Sequence, residues 1–431
     1  MKKNQNIPTA PNFLKYFNEN NRYLVLNPII PSFLITNKIG ISAINLCNGK
    51  NDVHEITKKL LSLSPNITYN KVNKFLEYVY EKNIFSQTST TLKHENNSIK
   101  YVLLNMTPNC NLKCKYCYAS ERIESKYPIL TYQEYVNIID DILSISPDVQ
   151  FTFTGGEPLL SKNIFSVAQY LKEKKQKVYM LTNATLINRS NISTISKIID
   201  GVRISLDGSN AIRHDFYRGN GTYNKTINAI KLLLDNNVDV IVAMVVTKQN
   251  LNDIKEMENL WGDKLTLQPL YFAGNAKEQI NYKLTSKEYY ETLIKYKNKI
   301  HSKNYNNFLL AQKNNKGITK CGIGDEEFSI SCTGDVYPCE ILHLKDFLIG
   351  NVHEKSIKEL YYSDKMNYFK QHTVEKIEKC KDCFLRLICG GGCQAMNYYD
   401  NNTIEKASDF CEYEKNAIIH ELLTENEPII L

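Results

Sequence analysis

The chain of 431 residues is long enough for two or three domains, and its 42% hydrophobic and 23% charged content is ordinary for a globular protein. No stretch approaches the roughly 18 apolar residues of a membrane span, and no apolar run follows the two N-terminal lysines. We therefore predict a cytoplasmic protein without membrane contact. The net charge of +7 could attract an acidic peptide, although a coding bias is the simpler explanation, and no aromatic-and-basic motif indicates nucleic acid.

Twelve cysteines in a long chain without a signal peptide predict metal sites rather than disulfides, because a reducing cytosol keeps thiols free. Eleven of them follow residue 100, mostly in closely spaced groups. The exception is Cys47, which lies in an apolar stretch and is predicted to be an ordinary buried residue.

The first domain, predicted over residues 1–86, contains two short β-prone runs followed by three helices. The two runs are separated by Pro28 and Pro31. Asp52 can cap the second helix, with Glu55 completing a capping box. The predicted elements are strands over 22–27 and 32–36 and helices over 39–47, from 53 onward and over 70–82.

Residues 87–99 are polar and lack periodicity, which predicts a linker before the second domain. Strand and helix patterns alternate from 100 to 300, and six such repeats predict a parallel sheet with helices outside it. The chemistry is expected at the carboxyl ends of the strands. The predicted strands are 101–106, 149–154, 177–181, 201–206, 238–246 and 265–271, and the predicted helices are 132–146, 163–175, 190–199, 224–236 and 250–260.

Three cysteines, Cys110, Cys114 and Cys117, follow the first of these strands with gaps of three and two residues. Three thiolates can hold a [4Fe–4S] cluster by three of its irons, which leaves the fourth iron open to a small chelating ligand. A cluster with four cysteines only moves electrons. Zinc is the alternative, but it prefers four closed ligands.

This spacing, with Tyr116 before the last cysteine, resembles the radical S-adenosylmethionine (SAM) superfamily. The resemblance implies a partial (β/α)6 barrel and an open iron that chelates SAM. It also implies that one electron from the cluster cleaves SAM, and that the 5′-deoxyadenosyl radical abstracts a hydrogen atom from the substrate. In that superfamily an aromatic residue stands where Tyr116 stands here, next to the cluster.

The segment Gly155-Gly156-Glu157-Pro158 follows the second predicted strand of this domain. Two glycines let the backbone pass close to a ligand, and the Glu157 carboxylate can pair with an ammonium group. In the resembled superfamily such a turn contacts the SAM amino group. The resemblance therefore implies that these four residues bind SAM.

Polar residues end the third and fourth strands of the predicted barrel. Ser205 and Asp207 could bind a ribose, although Asp207 could equally be a turn former or a helix cap. The superfamily resemblance implies a SAM contact at Asn183, and Arg218 could meet the SAM carboxylate. The sequence does not identify a general base.

The third domain, predicted over 301–431, is dense in cysteine and has little regular periodicity, which predicts stabilisation by metal rather than by a large apolar core. A zinc ribbon would need two CxxC pairs, and only Cys380 and Cys383 form one. The full pattern resembles the SPASM domain, which binds two auxiliary [4Fe–4S] clusters. With the SAM cluster, this makes three.

The SPASM resemblance divides the C-terminal cysteines into two ligand sets. The first set has three evident members and the second has four: Cys321, Cys339 and Cys393, and Cys380, Cys383, Cys389 and Cys411. Cys332 is left over. It could be the fourth ligand of the first auxiliary cluster, or that iron could be open and bind a substrate thiolate.

The order of elements in the first domain is a winged helix-turn-helix arrangement, and its phrases LVLNP, FLITN and LCNGKNDVHEI resemble the PqqD-like recognition element of ribosomal peptide pathways. That resemblance implies a domain that binds a precursor leader as an added β-strand. DNA binding is the alternative. The third helix, however, carries Glu77 and Glu81 and lacks arginine, which argues against phosphate contacts.

Together these resemblances predict a radical SAM/SPASM maturase of a ribosomally synthesised peptide that forms intramolecular thioethers. An external one-electron donor such as flavodoxin or ferredoxin is expected. Carbon–carbon or ether cross-linking is the nearest alternative, and a sulfatase-maturase-like enzyme that forms formylglycine is another. The non-enzyme alternative is an electron carrier or an iron-regulated sensor, and an electron carrier would need no SAM pocket.

Overall fold

The computed structural model describes residues 7–88, 98–122, 125–296 and 317–431. The N-terminal domain is a three-stranded antiparallel sheet, in the order β1-β2-β3, followed by three helices. The strands and helices predicted for this domain are present, but the first strand was missed because its sequence, KYFNE, is polar. The elements are β1 (Lys15–Glu19), β2 (Arg22–Asn27), β3 (Ser32–Thr36), α1 (Lys38–Leu46), α2 (Val53–Leu60) and α3 (Tyr69–Glu81).

Local capping fixes where these helices begin. The Asp52 side chain accepts a hydrogen bond from the Glu55 N–H, and Glu55 bonds back to the cap, which is the predicted capping box. Asn37 caps α1 through its side chain alone, which accepts a hydrogen bond from the Gly40 N–H. Cys47, at the end of α1, is 2% exposed and its thiol donates to the Ala43 carbonyl, which confirms the predicted buried residue.

The centre of the molecule is a nine-stranded sheet in which six consecutive parallel strands form the predicted barrel. Their alternating apolar residues are fully buried, and a single apolar core runs between the sheet and its helices. The α/β fold class is therefore confirmed. The six strands are β4 (Tyr101–Asn105), β5 (Gln150–Thr154), β6 (Lys177–Thr182), β7 (Gly201–Ser205), β8 (Asp239–Val246) and β9 (Leu265–Pro269).

Seven helices accompany these strands, two more than the sequence predicted. The additional ones are α7 and α10, whose sequences AIRHDFYR and SKEYYETLIK carry few aliphatic residues, so the apolar pattern that predicted the other helices is sparse in them. The helices are α4 (Tyr132–Ile145), α5 (Ile164–Glu173), α6 (Ile192–Ile198), α7 (Ala211–Arg218), α8 (Thr222–Asp235), α9 (Ile254–Trp261) and α10 (Ser286–Lys295).

The C-terminal region extends the barrel sheet instead of standing apart from it. Strand β10 (Glu327–Ile330) pairs in parallel with β4, and β11 (Asp335–Tyr337) and β12 (Gly350–Asn351) continue antiparallel beyond it. Strands of two to four residues leave too little periodicity to be predicted. The helices of this region are α11 (Ile357–Tyr361), α12 (Asp364–Lys370), α13 (Arg386–Cys389), α14 (Gln394–Asn401) and α15 (Cys411–Glu425).

Helix α15 joins the N-terminal domain to the rest of the molecule. It packs on α10 and on strands β1 and β2. The Arg22 side chain donates to the backbone carbonyls of Leu423 and Asn426, and Phe17 stacks on Phe384 at a ring separation of 5.2 Å. Within the described part of the chain, no helix combines the length and the apolar content needed to cross a membrane.

Candidate active site

The three-cysteine loop lies at the carboxyl end of β4, where the fold predicts the chemistry. Cys110 is exposed, whereas Cys114 and Cys117 are half-buried. Burial raises the pKa of Cys110 and of Cys114. The charge of Cys117 adds to the shift at both thiols, and the charge of Cys110 adds to the shift at Cys114, so the three thiols lie near one another. Such thiols stay protonated until a metal displaces the proton.

The Gly155-Gly156 turn after β5 holds this loop in place through the backbone. The Gly156 N–H donates to the Thr107 carbonyl at 2.9 Å, and the Glu157 N–H donates to the Asn109 carbonyl at 2.8 Å. A Cβ atom on Gly156 would lie 2.1 Å from the Asn109 carbonyl oxygen, so only glycine allows this approach. The turn is therefore built to position the cysteine loop.

Glu157, which the resemblance assigns to the SAM ammonium, is fully buried and bonded within the protein. Its carboxylate accepts hydrogen bonds from the Thr182 hydroxyl at 2.6 Å and from the Asn183 N–H at 2.9 Å. Pro158 is buried beside it at the start of a short 3-10 helix. Burial raises the pKa of Glu157, although these bonds oppose the shift. This carboxylate fixes the carboxyl end of β6, where Asn183 faces the cysteine loop.

A buried charge cluster stands on the other side of the loop. Asp207, at the end of β7, is fully buried, pairs with Arg218 and accepts a hydrogen bond from the Tyr116 hydroxyl. Burial opposes ionisation, but the Arg218 charge, the hydrogen bonds from Arg218 and Tyr116 and the charge of His214 together outweigh it and hold the pKa of Asp207 below its usual range. The Arg218 Nη1 atom lies 3.9 Å from the Cys114 sulfur. A fixed cation therefore stands beside a thiol of the loop, where it favours the thiolate.

These elements surround a cavity of about 440 Å³, within the range of ligand sites. Predicted SAM-site residues on its wall include Gly155, Gly156, Tyr116, Asn183, Ser205 and Arg218, whereas Asp207 is absent from the wall and stays paired behind Arg218. The cavity is lined by two sets of three cysteines, namely Cys110, Cys114 and Cys117, and Cys321, Cys339 and Cys393.

Cys321, Cys339 and Cys393 lie together on the C-terminal side of the cavity. All three pack against one apolar cluster. Burial, with the charge of the nearby Cys321, raises the pKa of Cys393 to about 11, and the Tyr271 hydroxyl lies 3.7 Å from its sulfur. The donor set therefore fits a metal cluster bound by three thiolates.

Four further cysteines form a separate group away from the cavity wall, namely Cys380, Cys383, Cys389 and Cys411. Burial raises the pKa of Cys380 to about 12, with added contributions from the charges of Cys411 and Cys383, and it raises the pKa of Cys411 to about 11. Burial also raises the pKa of Cys389, and the charges of Glu414, Cys380 and Cys411 add to the shift. Four mutually close thiols fit the second predicted ligand set.

The structure does not bring Cys332 together with either set. It is buried in the turn between β10 and β11, and the charged groups near its thiol are Arg122 and Asp335. Among the described residues, no three His, Cys, Asp or Glu side chains converge on a point suited to a single metal ion. A four-iron cubane is wider than one ion, so its thiolates stand further apart.

Two features beside the cavity were missed by sequence reasoning. The first is a buried ion pair between Arg122, five residues after Cys117, and Glu340, which follows Cys339. The Tyr118 hydroxyl also donates to Glu340 at 3.2 Å. Although burial opposes it, the Arg122 charge holds the pKa of Glu340 below its usual value. The pair therefore links the segment that follows Cys117 to the segment that contains Cys339. No local sequence pattern predicts a contact between residues 218 positions apart.

The second missed feature is the turn after β9. A Cβ atom on Gly274 would lie 2.3 Å from the Cys117 carbonyl oxygen, and the Asn275 side chain donates to the Cys114 carbonyl at 3.1 Å. The AGNA sequence at 273–276, which begins four residues after the end of β9, was the available signal.

Comparisons with known proteins agree with this geometry. Residues 104–260 match the model of the Radical SAM superfamily, and residues 321–384 match the model of the SPASM iron-sulfur cluster-binding domain. The chain is a radical SAM enzyme, with an α/β fold whose solved neighbours are radical SAM proteins. It also carries the SPASM domain, so a [4Fe–4S] cluster and SAM are its implied cofactors.

Two relatives and one solved structure illustrate the proteins to which this chain is similar. The chain is 27% identical to the antilisterial bacteriocin subtilosin biosynthesis protein AlbA of Bacillus subtilis over 74% of this chain and 72% of AlbA. It is 25% identical to a cysteine-type anaerobic sulfatase-maturating enzyme of Clostridium perfringens over 70% and 90%. The Streptococcus suis SuiB structure bound to precursor peptide SuiA covers 93% of this chain and 98% of SuiB, with a TM-score of 0.56 and 18% identity, which shows a shared fold.

Proposed function

We propose that this enzyme matures a ribosomally synthesised peptide by forming intramolecular thioethers between a cysteine sulfur and a substrate carbon. The observation that carries the proposal is the cavity of about 440 Å³ shared by two sets of three cysteines. A substrate in that cavity would touch both sites. Relatives named as a bacteriocin biosynthesis protein and a sulfatase-maturating enzyme support a peptide or protein substrate.

Within this proposal, Cys110, Cys114 and Cys117 hold the SAM cluster. When bound, that cluster and SAM supply the 5′-deoxyadenosyl radical that removes a hydrogen atom from the peptide. The wall residues Gly155, Gly156, Asn183, Ser205 and Arg218 would contact SAM. Glu157, Pro158, Asp207 and Tyr116 hold those wall segments in position through the hydrogen bonds and packing described above.

Cys321, Cys339 and Cys393 would hold the first auxiliary cluster. The charged groups near the Cys332 thiol are Arg122 and Asp335 and include no other cysteine, which supports an iron open to the substrate thiolate. Forming the carbon–sulfur bond would release the thiol proton and one electron, and the first auxiliary cluster would supply the electron acceptor. The peptide would thus lose two hydrogen atoms, one taken whole by the deoxyadenosyl radical and the other leaving as this proton and electron. Cys380, Cys383, Cys389 and Cys411 would hold the second auxiliary cluster. An external flavodoxin or ferredoxin in the cytoplasm would exchange electrons with the enzyme.

The N-terminal domain would bind the precursor leader. The likeness to SuiB spans 93% of this chain and therefore includes most of the first 99 residues, and that structure is described as bound to a precursor peptide. Helix α3 carries no arginine, and Glu77 and Glu81 offset the charge of its two lysines, which argues against phosphate contacts.

The test is an anaerobic incubation of enzyme, SAM, reductant and the precursor encoded beside the gene. The thioether proposal expects a product lighter by two hydrogen atoms whose cysteine no longer reacts with iodoacetamide. A lighter product with a free cysteine would favour carbon–carbon or ether cross-linking. An aldehyde that reacts with a hydrazine would identify the formylglycine reaction, which the sulfatase-maturating relative makes the second candidate.

A further inference from the structure

A short segment of this chain, residues 427–431, lies along the outer edge of the N-terminal sheet. The Ile429 N–H donates to the Ile35 carbonyl at 2.9 Å, and the Thr36 hydroxyl donates to the Ile429 carbonyl at 2.7 Å. The Asn37 side chain donates to the Leu431 carbonyl at 3.1 Å. Thr36 and Ile429 form a parallel β-bridge, so the segment begins to add a strand to β3.

The side chains of the segment alternate as those of an added strand do. Ile429 and Leu431 pack against the apolar core of the N-terminal domain, whereas Ile430 between them is 70% exposed. The edge of β3 therefore offers main-chain partners and apolar contacts to an extended peptide with aliphatic residues two positions apart.

The two edges of this sheet differ in their suitability for strand addition. The two edge strands of the sheet are β1 and β3. Strand β1, with the sequence KYFNE, contains two charged residues and is largely exposed. Charged side chains discourage pairing at an edge. Strand β3, with the sequence SFLIT, carries no charge and is half-buried to buried. Its edge is therefore the better acceptor of a second peptide.

Helix α15 brings the segment to this position. The helix ends at Glu425, and the Arg22 side chain of β2 holds the carbonyls of Leu423 and Asn426. Because the tether is only a few residues long, the segment has a high effective concentration at the edge.

We propose that residues 427–431 occupy, in the free enzyme, the same β3 edge that the precursor leader uses, so that the leader must displace them to bind. This inference rests on the proposed leader-binding function of the N-terminal domain. The leader is expected to present an extended run with aliphatic residues at alternate positions. The apparent dissociation constant of the leader then rises in inverse proportion to the fraction of enzyme whose edge is free.

The test uses two proline variants of the full chain. Ile429→Pro removes the N–H that bonds to Ile35, while Ile430→Pro changes the exposed neighbour and is the matched control. The probe is a fluorescein-labelled synthetic leader from the short peptide gene beside the enzyme gene, and its binding is followed by fluorescence anisotropy. Hydrogen exchange of residues 427–431 is measured in the wild-type chain with and without unlabelled leader.

If the segment fills the edge nine times in ten, Ile429→Pro lowers the dissociation constant about tenfold, whereas Ile430→Pro leaves it unchanged. Leader also accelerates exchange in residues 427–431 of the wild-type chain. Equal affinities in all three proteins overturn the competition and leave leader binding intact. Weaker binding to Ile429→Pro alone also overturns it. Absence of binding to every protein contradicts the leader-binding function itself, and the competition with it.

Discussion

The three-cysteine loop after β4 and the four-cysteine group near α15 are built in opposite ways. Cys110, Cys114 and Cys117 face a cavity and stand on a loop held by backbone contacts with two glycine turns. Cys380, Cys383, Cys389 and Cys411 lie off that cavity, with a full complement of four thiols. Under the proposed function, the open coordination position would belong at the cavity, where a ligand has room, and the closed set would serve electron transfer.

The largest effect is expected when a cysteine of the open loop is replaced. Cys114→Ala should abolish 5′-deoxyadenosine formation, because one of the three thiolates is lost. Cys383→Ala should retain 5′-deoxyadenosine formation but lose the cross-linked product. Liquid chromatography with mass spectrometry measures both species.

Cys332→Ala is the control for this comparison, because Cys332 stands apart from both groups. It should retain 5′-deoxyadenosine and product. Loss of 5′-deoxyadenosine in Cys383→Ala, together with its survival in Cys114→Ala, would reverse the roles assigned to the two groups.

The second-largest effect is expected from the buried ion pair of Arg218 and Asp207 beside the three-cysteine loop. Arg218→Met leaves the fully buried Asp207 carboxylate without its cation, which we expect to lower the free energy of unfolding by about 3–5 kcal/mol. The urea midpoint of the anaerobically purified protein measures this change. Arg189→Met, at an exposed arginine, should leave the midpoint unchanged. An Arg218→Met midpoint equal to the wild-type value would contradict the role of the pair.

The glycine contact that supports the loop should give an intermediate effect. Gly156→Ala places a methyl group 2.1 Å from the Asn109 carbonyl and must displace the cysteine loop, at an expected cost of about 2–3 kcal/mol. Iron content after reconstitution should fall with it. Gly262→Ala meets no neighbouring atom within 4 Å and is the control for iron content, which it should leave unchanged, while the strain of its own backbone conformation costs about 1–3 kcal/mol of stability.

The smallest effect concerns His214, which bonds to the Asp207 N–H and is fully buried. Burial, with the Arg218 charge, lowers its pKa to about 4. The unfolded chain binds this proton near pH 6.5, so stability is complete above that pH and is lost as the pH falls toward the folded-state pKa.

We expect a loss of about 1 kcal/mol between about pH 7.5 and about pH 5.5, measured by urea unfolding. His214→Gln should lose this pH dependence, whereas His54→Gln, at an exposed histidine, should keep it. Identical pH profiles in wild type and His214→Gln would contradict the assignment.

The sequence predicted regular elements well where periodicity was strong, and it failed where contacts are distant. The six barrel strands and the capped helices of the N-terminal domain are local patterns, so they could be predicted. Strand β1 is polar, and β10 pairs with β4 across more than 200 residues, so neither has a local signal. The Arg122–Glu340 pair was missed for the same reason.

The predicted site residues divide along the same line. The sequence motifs pointed to the loop cysteines, the glycine turn and Arg218, and the fold places all of them around one cavity. Spacing could not reveal that the Asp207 carboxylate accepts hydrogen bonds from Arg218 and Tyr116, because this depends on which side chains meet after folding. It also left Cys332 undecided, and the tertiary position of that residue supports a three-thiolate first auxiliary site.

Electron paramagnetic resonance of the reduced, anaerobically reconstituted enzyme, recorded with and without SAM, tests whether the cluster at the three-cysteine loop has an open iron. If it does, SAM changes the signal of one [4Fe–4S] cluster, and Cys114→Ala removes the changed component. A wild-type spectrum that is indifferent to SAM, or a SAM-dependent change that persists in Cys114→Ala, would contradict an open iron at the loop of Cys110, Cys114 and Cys117.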